Sequence, residues 1–185
     1  MTAVFIAGSM KIKHLHPKVK ERIDNIVRSG LDVYVGDADG ADTSVQEYLR
    51  ELNHSLVTVF CTGDAPRNNV GCWPVRSITT KHASGTRAFF TAKDLAMAEA
   101  AEYGLMIWDS KSTGTLSNVL ELLCRHKKSV VFVNKDRAFS TVGTVKQLEE
   151  LLERMSEDAR KKADEKIRLR DRVESLRNVQ QALPI

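Results

Sequence analysis

Three short stretches of the sequence carry residues whose types and spacing could do chemistry. In Ser112-Thr113-Gly114-Thr115 a glycine stands among hydroxyls where a strand should give way to a helix. Glycine lets the backbone come close to a phosphate, and amides and hydroxyls at a helix N-terminus donate to it, aided by the helix dipole. The same four residues also suit a plain capping turn. In Gly36-Asp37-Ala38-Asp39-Gly40-Ala41-Asp42 two glycines bracket a tight strand-to-helix turn that holds three carboxylates. Those carboxylates could hold ribose hydroxyls or a metal, or cap the helix, with Asp39 as the cap. The glutamate that would complete a calcium loop is absent. In Arg67-Asn68-Asn69 an arginine could fork onto a phosphate and an asparagine could read a base or sugar. Cys61, Cys72 and His82 lack zinc-ligand spacing, and nothing matches a Ser-His-Asp or Walker arrangement. No metal or cofactor is expected.

The elements that must position these residues alternate along the chain. Val4-Phe5-Ile6-Ala7 is a buried strand ended by Gly8-Ser9, and Pro17 opens a helix closed by Ser29-Gly30. Asp32 to Val35 is a second strand. Val45, Tyr48, Leu49 and Leu52 mark a second helix, and Leu56 to Phe60 a third strand. Residues 61–90 read as a long loop, rich in glycine, proline and polar residues. A helix is expected from about Thr91 to Glu102, a strand from Gly104 to Trp108, a helix to about Lys127 and a strand from Ser129 to Val133. This is an α/β pattern. It predicts a Rossmann-like open parallel sheet of about five or more strands flanked by helices, plus a long C-terminal helix. If the strand order reverses after the third strand, the first strand and the Gly104 strand lie side by side. Ligands of such sheets bind beyond the carboxyl ends of the strands at that switch point. Gly8, Ser9, Gly36, Gly114 and Thr115 should then line the pocket.

Bulk properties narrow the partners. The chain has 185 residues, 42% hydrophobic and 28% charged, which is ordinary globular composition. It has 28 basic against 24 acidic side chains, with no segment carrying the excess of a nucleic-acid arm. Three cysteines make no disulfide framework and fit a reducing compartment. No apolar run is long enough for a membrane span, and the N-terminus lacks the features of a signal peptide. A cytoplasmic protein with no membrane partner is expected. Residues 1–143 read as the nucleotide-binding domain and 144–185 as a charged helical extension. Thr144 with Gln147 suits a capping box. Val145, Leu148, Leu152 and Met155 keep heptad spacing, and Glu157–Lys161, Asp158–Lys162 and Asp164–Arg168 could pair along the helix. The heptad positions point to a homodimer, with a solvated helix as the alternative.

Taken in order, these stretches resemble the SLOG superfamily, which includes the LOG phosphoribohydrolases and the Rossmann-like domain of DprA-type DNA-processing proteins. Val4 to Ser9 is similar to the opening strand and Gly-Ser turn. Val35 to Asp42 is similar to the "SGxAxGID" element. Lys93-Asp94-Leu95-Ala96-Met97 followed by Gly114-Thr115-Leu116-Ser117-Asn118 is similar to "RKxxM…GGxGTxxE". The likeness spans roughly residues 3–133. It implies nucleotide binding, and with the stretches above the expected ligand-binding residues are Gly8, Ser9, Gly36, Asp37, Asp39, Gly40, Arg67, Asn68, Ser112, Gly114, Thr115 and Asn118. It also implies where catalysis would reside, and there the sequence departs. Asn118 stands at the position of the LOG catalytic glutamate, and Lys93 and Asp94 at those of its arginine and lysine. An amide is neither a base nor a carboxylate nucleophile; Glu121 and Asp94 are the nearby substitutes. The expected function is a nucleotide-binding sensor or regulatory module. An N-glycosidase or phosphoribohydrolase is the first alternative. DprA-like single-stranded DNA binding is the second, set behind by the missing basic excess and 6% aromatic content.

Overall fold

The computed structural model describes residues 2–182. Seven strands form one sheet: β1 (Ala3–Gly8), β2 (Asp32–Gly36), β3 (Val57–Thr62), β4 (Val75–Ile78), β5 (Tyr103–Trp108), β6 (Lys128–Val133) and β7 (Ala138–Val142). Their order is β4-β3-β2-β1-β5-β6-β7. All neighbours are parallel except β6 and β7. The order reverses beside β1, which pairs with β2 on one side and with β5 on the other, Ala7 opposite Met106. The sheet therefore has the switch point that the alternation of elements implied, with the chain leaving β1 and β5 at adjacent carboxyl ends.

Two strands and part of a helix lie where the sequence offers little signal. β4 falls inside residues 61–90, expected as loop. It has four residues, follows Pro74 and is mostly exposed, so neither length nor alternation marks it. Pairing with β3 creates it. β7 is a short antiparallel edge folded back on β6. Helix α3 (Arg87–Ala100) starts four residues before the expected Thr91, because the Thr86 hydroxyl accepts from the Phe89 amide and caps it there.

The sheet is covered on both faces, which is why its central strands are almost uniformly apolar. Val4, Ile6, Val33, Val35, Leu105, Ile107 and Phe132 face α1 (Pro17–Arg28) and α2 (Ala41–Glu51). Phe5, Ala7, Met106, Trp108, Val131 and Val133 face the other way, toward α3 and α4 (Thr113–Cys124). The segment from Thr144 forms three helices, α5 (Val145–Leu152), α6 (Glu157–Ile167) and α7 (Leu169–Ala182). The break between α6 and α7 is Arg168, whose φ of 53° is left-handed. Thr144 does cap α5, accepting from the Gln147 amide, while Gln147 accepts from the Gly143 amide. Val145, Leu148, Leu152 and Met155 are all buried within the chain. The last three join the same apolar cluster as Trp108 and Leu120. The heptad positions are thus buried within this chain, with α5 packed against β7 and α7, which leaves them no apolar seam to offer a second copy. Asp164 pairs with Arg170 and Arg168 with Asp171, in place of the expected Asp164–Arg168 pair.

Candidate functional site

At the carboxyl end of β5 the chain turns through Asp109–Ser112 into α4. Asp109 Oδ1 accepts from the amides of Lys111 (2.9 Å) and Ser112 (2.7 Å), fixing the turn. The Ser112 hydroxyl caps α4 by accepting from the Thr115 amide, and the Thr115 hydroxyl lies 3.1 Å from it. From the end of β1, the Ser9 hydroxyl accepts from the Asp109 amide at 3.1 Å and stands 3.4 Å from the Thr115 hydroxyl. Ser9, Ser112 and Thr115 therefore meet at the switch point. Gly114 lies in the first turn of α4 and is exposed. A Cβ there would meet only Ser112 Oγ, at 3.9 Å. Arg87, at the start of α3, donates to the Thr113 hydroxyl at 3.1 Å.

At Gly8, Gly36 and Gly40 the protein itself fills the space that a side chain would take. A Cβ on Gly8 would sit 2.5 Å from the Ile107 carbonyl. Gly40 has a φ of 81° and lies against the Met10 backbone. It also occupies the cap position of α2, so Asp39 does not cap that helix; Asp39 instead accepts from Asn68 Nδ2 at 3.0 Å. Gly36 ends β2 beneath a cluster of charges. There Lys93 Nζ lies 2.7 Å from Asp94, 3.9 Å from Asp37 and 3.9 Å from Asp42, with Lys93, Asp37 and Asp42 all buried. An ammonium thus fills the space among the carboxylates that a metal would otherwise take. Among the described residues no three His, Cys, Asp or Glu side chains are grouped to hold a metal ion.

The charges settle one another. Burial pushes the Asp37 carboxyl up, but hydrogen bonds from Arg67 and the Lys93 charge outweigh it and leave the group below the ordinary carboxylate value. Asp42 is fully buried, and burial pushes it up to about 6 against the pull of Lys93. Burial pushes Lys93 down, yet Asp94 and Asp42 hold it above the ordinary lysine value. Arg67 clasps Asp37 through Nε (3.1 Å), NH2 (2.8 Å) and its own amide (3.0 Å). Asn68 donates to the Asp37 carbonyl, and Gln46 bridges Gly36, Asn68 and Val70. A cavity of about 400 Å³ opens beside this cluster, lined by Asp37, Thr62, Asp64, Arg67, Phe89 and Phe90 among others. It lies over the ends of β2 and β3, to one side of the β1–β5 switch point near which Gly8 and Thr115 sit.

The catalytic candidates are placed apart. Asn118 is buried on α4, one turn inside Thr115. Glu121 pairs with Arg125 and, at 2.6 Å, with Arg172 of α7. Asp94 is spent on Lys93. Sequence reasoning named Asp42 only as one carboxylate of the Gly36–Asp42 stretch and missed Gln46, Arg87, Phe89 and Phe90. Gln46, Phe90 and Arg87 gain meaning from contacts with Gly36 and Asn68, with Arg67 and with Thr113, which no local pattern reveals.

No family model matches the chain, and no curated protein does. Among solved structures the chain is similar to DNA processing protein A from Helicobacter pylori, described for its single-stranded DNA binding mode. The likeness covers 92% of this chain and 81% of that one, at 17% identity and a TM-score of 0.57. At that identity it establishes a shared Rossmann-like fold. No helix among the described residues is long and apolar enough to cross a membrane.

Proposed function

We propose that this protein binds a nucleotide by its phosphate, seated at the N-terminus of α4 in the crevice between β1 and β5. The observation that carries this reading is Gly114. A glycine inside a helix costs roughly 0.5–1 kcal/mol relative to alanine, and packing gives no reason for one here, since a Cβ would meet only Ser112 Oγ at 3.9 Å. Its use is to leave the uncapped first-turn amides of Thr113 and Gly114 open to a ligand. Ser9, Ser112 and Thr115 add hydroxyls around the same point. Arg87, bonded to the Thr113 hydroxyl, brings positive charge to its rim, and the switch point is where open α/β sheets bind ligands. The resemblance to the SLOG superfamily points the same way.

A second reading takes the nucleotide as a unit of single-stranded DNA. It is favoured by the fold shared with the Helicobacter pylori protein and by Phe90, which is 38% exposed beside the cavity. The variant Gly114→Asp tests the site. It adds a carboxylate where helix stability tolerates or welcomes one and where a bound phosphate is repelled. The fold should survive, while affinity for nucleoside monophosphates and for a fluorescent single-stranded oligonucleotide falls at least tenfold. Binding of the oligonucleotide alone by the unaltered protein would favour the second reading. Full binding by the variant would exclude the seat.

A further inference from the structure

We infer that the Arg67 guanidinium is a stacking platform for the base of the bound nucleotide. This rests on the phosphate seat proposed above and adds where the other end of the ligand goes. Arg67 is held before any ligand arrives. One edge is bonded to Asp37 through Nε and NH2, and the guanidinium lies over the Phe90 ring, 4.7 Å from its centroid. A guanidinium held over an aromatic ring and bonded along one edge to a carboxylate keeps little rotamer freedom. Stacking a base on it therefore costs little further ordering. Its side chain is 40% exposed and lines the cavity of about 400 Å³, a size within the range of small-molecule sites.

Charge decides which part of a nucleotide fits. With every group ionised, Asp37, Asp42 and Asp94 outnumber Arg67 and Lys93, so this side of the crevice does not attract a phosphate. A flat, neutral group meets no such penalty and gains from stacking on a guanidinium. The α3 N-terminus joins the two subsites. Arg87 reaches the α4 turn through Thr113, and Phe90, one helical turn later, carries Arg67. The proposal places the phosphate at Gly114 and the base on Arg67, on either side of that helix end.

The test compares adenosine 5′-monophosphate with ribose 5-phosphate by calorimetry on the full chain. The two differ only in the base. The platform predicts that ribose 5-phosphate binds about tenfold more weakly, as the loss of one stacked base implies. Arg67→Ala should bring the nucleotide down to the level of ribose 5-phosphate and leave ribose 5-phosphate unchanged. Because Arg67→Ala also strips Asp37 of its partner, Phe90→Leu is the second variant. It keeps the bridge to Asp37, and its loss should be smaller and confined to the nucleotide. Equal affinity for both ligands, with both lost in Gly114→Asp, would overturn the platform and leave the phosphate seat standing. Equal weakening of both ligands in Arg67→Ala and Phe90→Leu would mean a structural role and overturn it too. Binding of neither ligand would remove the seat and the platform together.

Discussion

The Lys93 ammonium and the Asp42 carboxylate face each other at 3.9 Å directly above the backbone of Gly36. A Cβ at that residue would collide with Asp42 and stand 2.6 Å from Lys93 Nζ. The glycine at the end of β2 therefore makes room for an internal ion cluster that ties α3 to the β2–α2 turn. Gly36→Ala must push the two charges apart, at a cost of about 1–3 kcal/mol, the usual range for overpacking. Urea unfolding should show the midpoint shift with an unchanged slope.

Lys93 compensates three carboxylates at once, so its removal leaves buried charge behind. Lys93→Met is expected to cost on the order of 3–5 kcal/mol and to lower the thermal midpoint accordingly. Adding Asp42→Asn should recover part of that loss, because one of the orphaned carboxylates disappears. Strictly additive losses in the two variants would show that the pair is not coupled.

Asp42 also sets a pH dependence. Its pKa in the fold is raised from 3.8 to about 6. Between those values the folded chain holds a proton that the unfolded chain has released, so this group's contribution to stability falls as pH rises through that window. The full effect is on the order of 2–3 kcal/mol, at ~1.4 kcal/mol per pH unit. Asp37 works in the opposite sense: its pKa is lowered, so its contribution is present above the ordinary carboxylate value and is lost as pH falls further. Asp42→Asn should gain on the unaltered protein as pH rises from about 4 to about 7, measured by urea unfolding across that range. A constant difference between the two would contradict a titrating Asp42.

Much of this was legible in the residues. Val4–Ala7, Val33–Val35 and Leu105–Trp108 announced a parallel sheet because burial on both faces makes central strands apolar throughout, and Gly114 marked the α4 turn by type and place. β4 was not legible, since Val75–Ile78 is an exposed edge whose strand character comes from pairing with β3. The packing at Gly36 was not legible for a similar reason. Its turn reads as a ligand loop in the sequence, whereas Lys93, 57 positions later, fills the space beside it. The heptad of α5 left a seam between copies and docking on its own chain both open, because periodicity reports an apolar face and not what covers it.

The same packing makes a prediction for residues 144–185. Leu148, Leu151, Leu152 and Met155 are buried against the face that carries Trp108 and Leu120. A chain ended at Gly143 would expose that face and is expected to aggregate or to lose its cooperative melt. A soluble fragment with a sharp transition near that of the full chain would contradict this.

Hydrolysis of the glycosidic bond is expected to be slow or absent. Asn118 brings no charge to stabilise the developing positive ribose. Glu121 is held by Arg125 and Arg172, and Asp94 by Lys93. Incubation with a panel of nucleotides should release little base on chromatography, well below the common enzymatic range of roughly 1 per second and above. Fast release that disappears in Glu121→Gln or Asp94→Asn would assign catalysis to one of those carboxylates.

The central claim is that a phosphate sits on the N-terminus of α4. Backbone amide resonances of the labelled full chain, followed while a nucleoside monophosphate is titrated in, test it most directly. The account predicts saturating shifts led by the amides of Thr113, Gly114 and Thr115, with Ser9 next, and their loss in Gly114→Asp. Saturable binding that moves amides elsewhere and leaves those of Thr113–Thr115 untouched would contradict it.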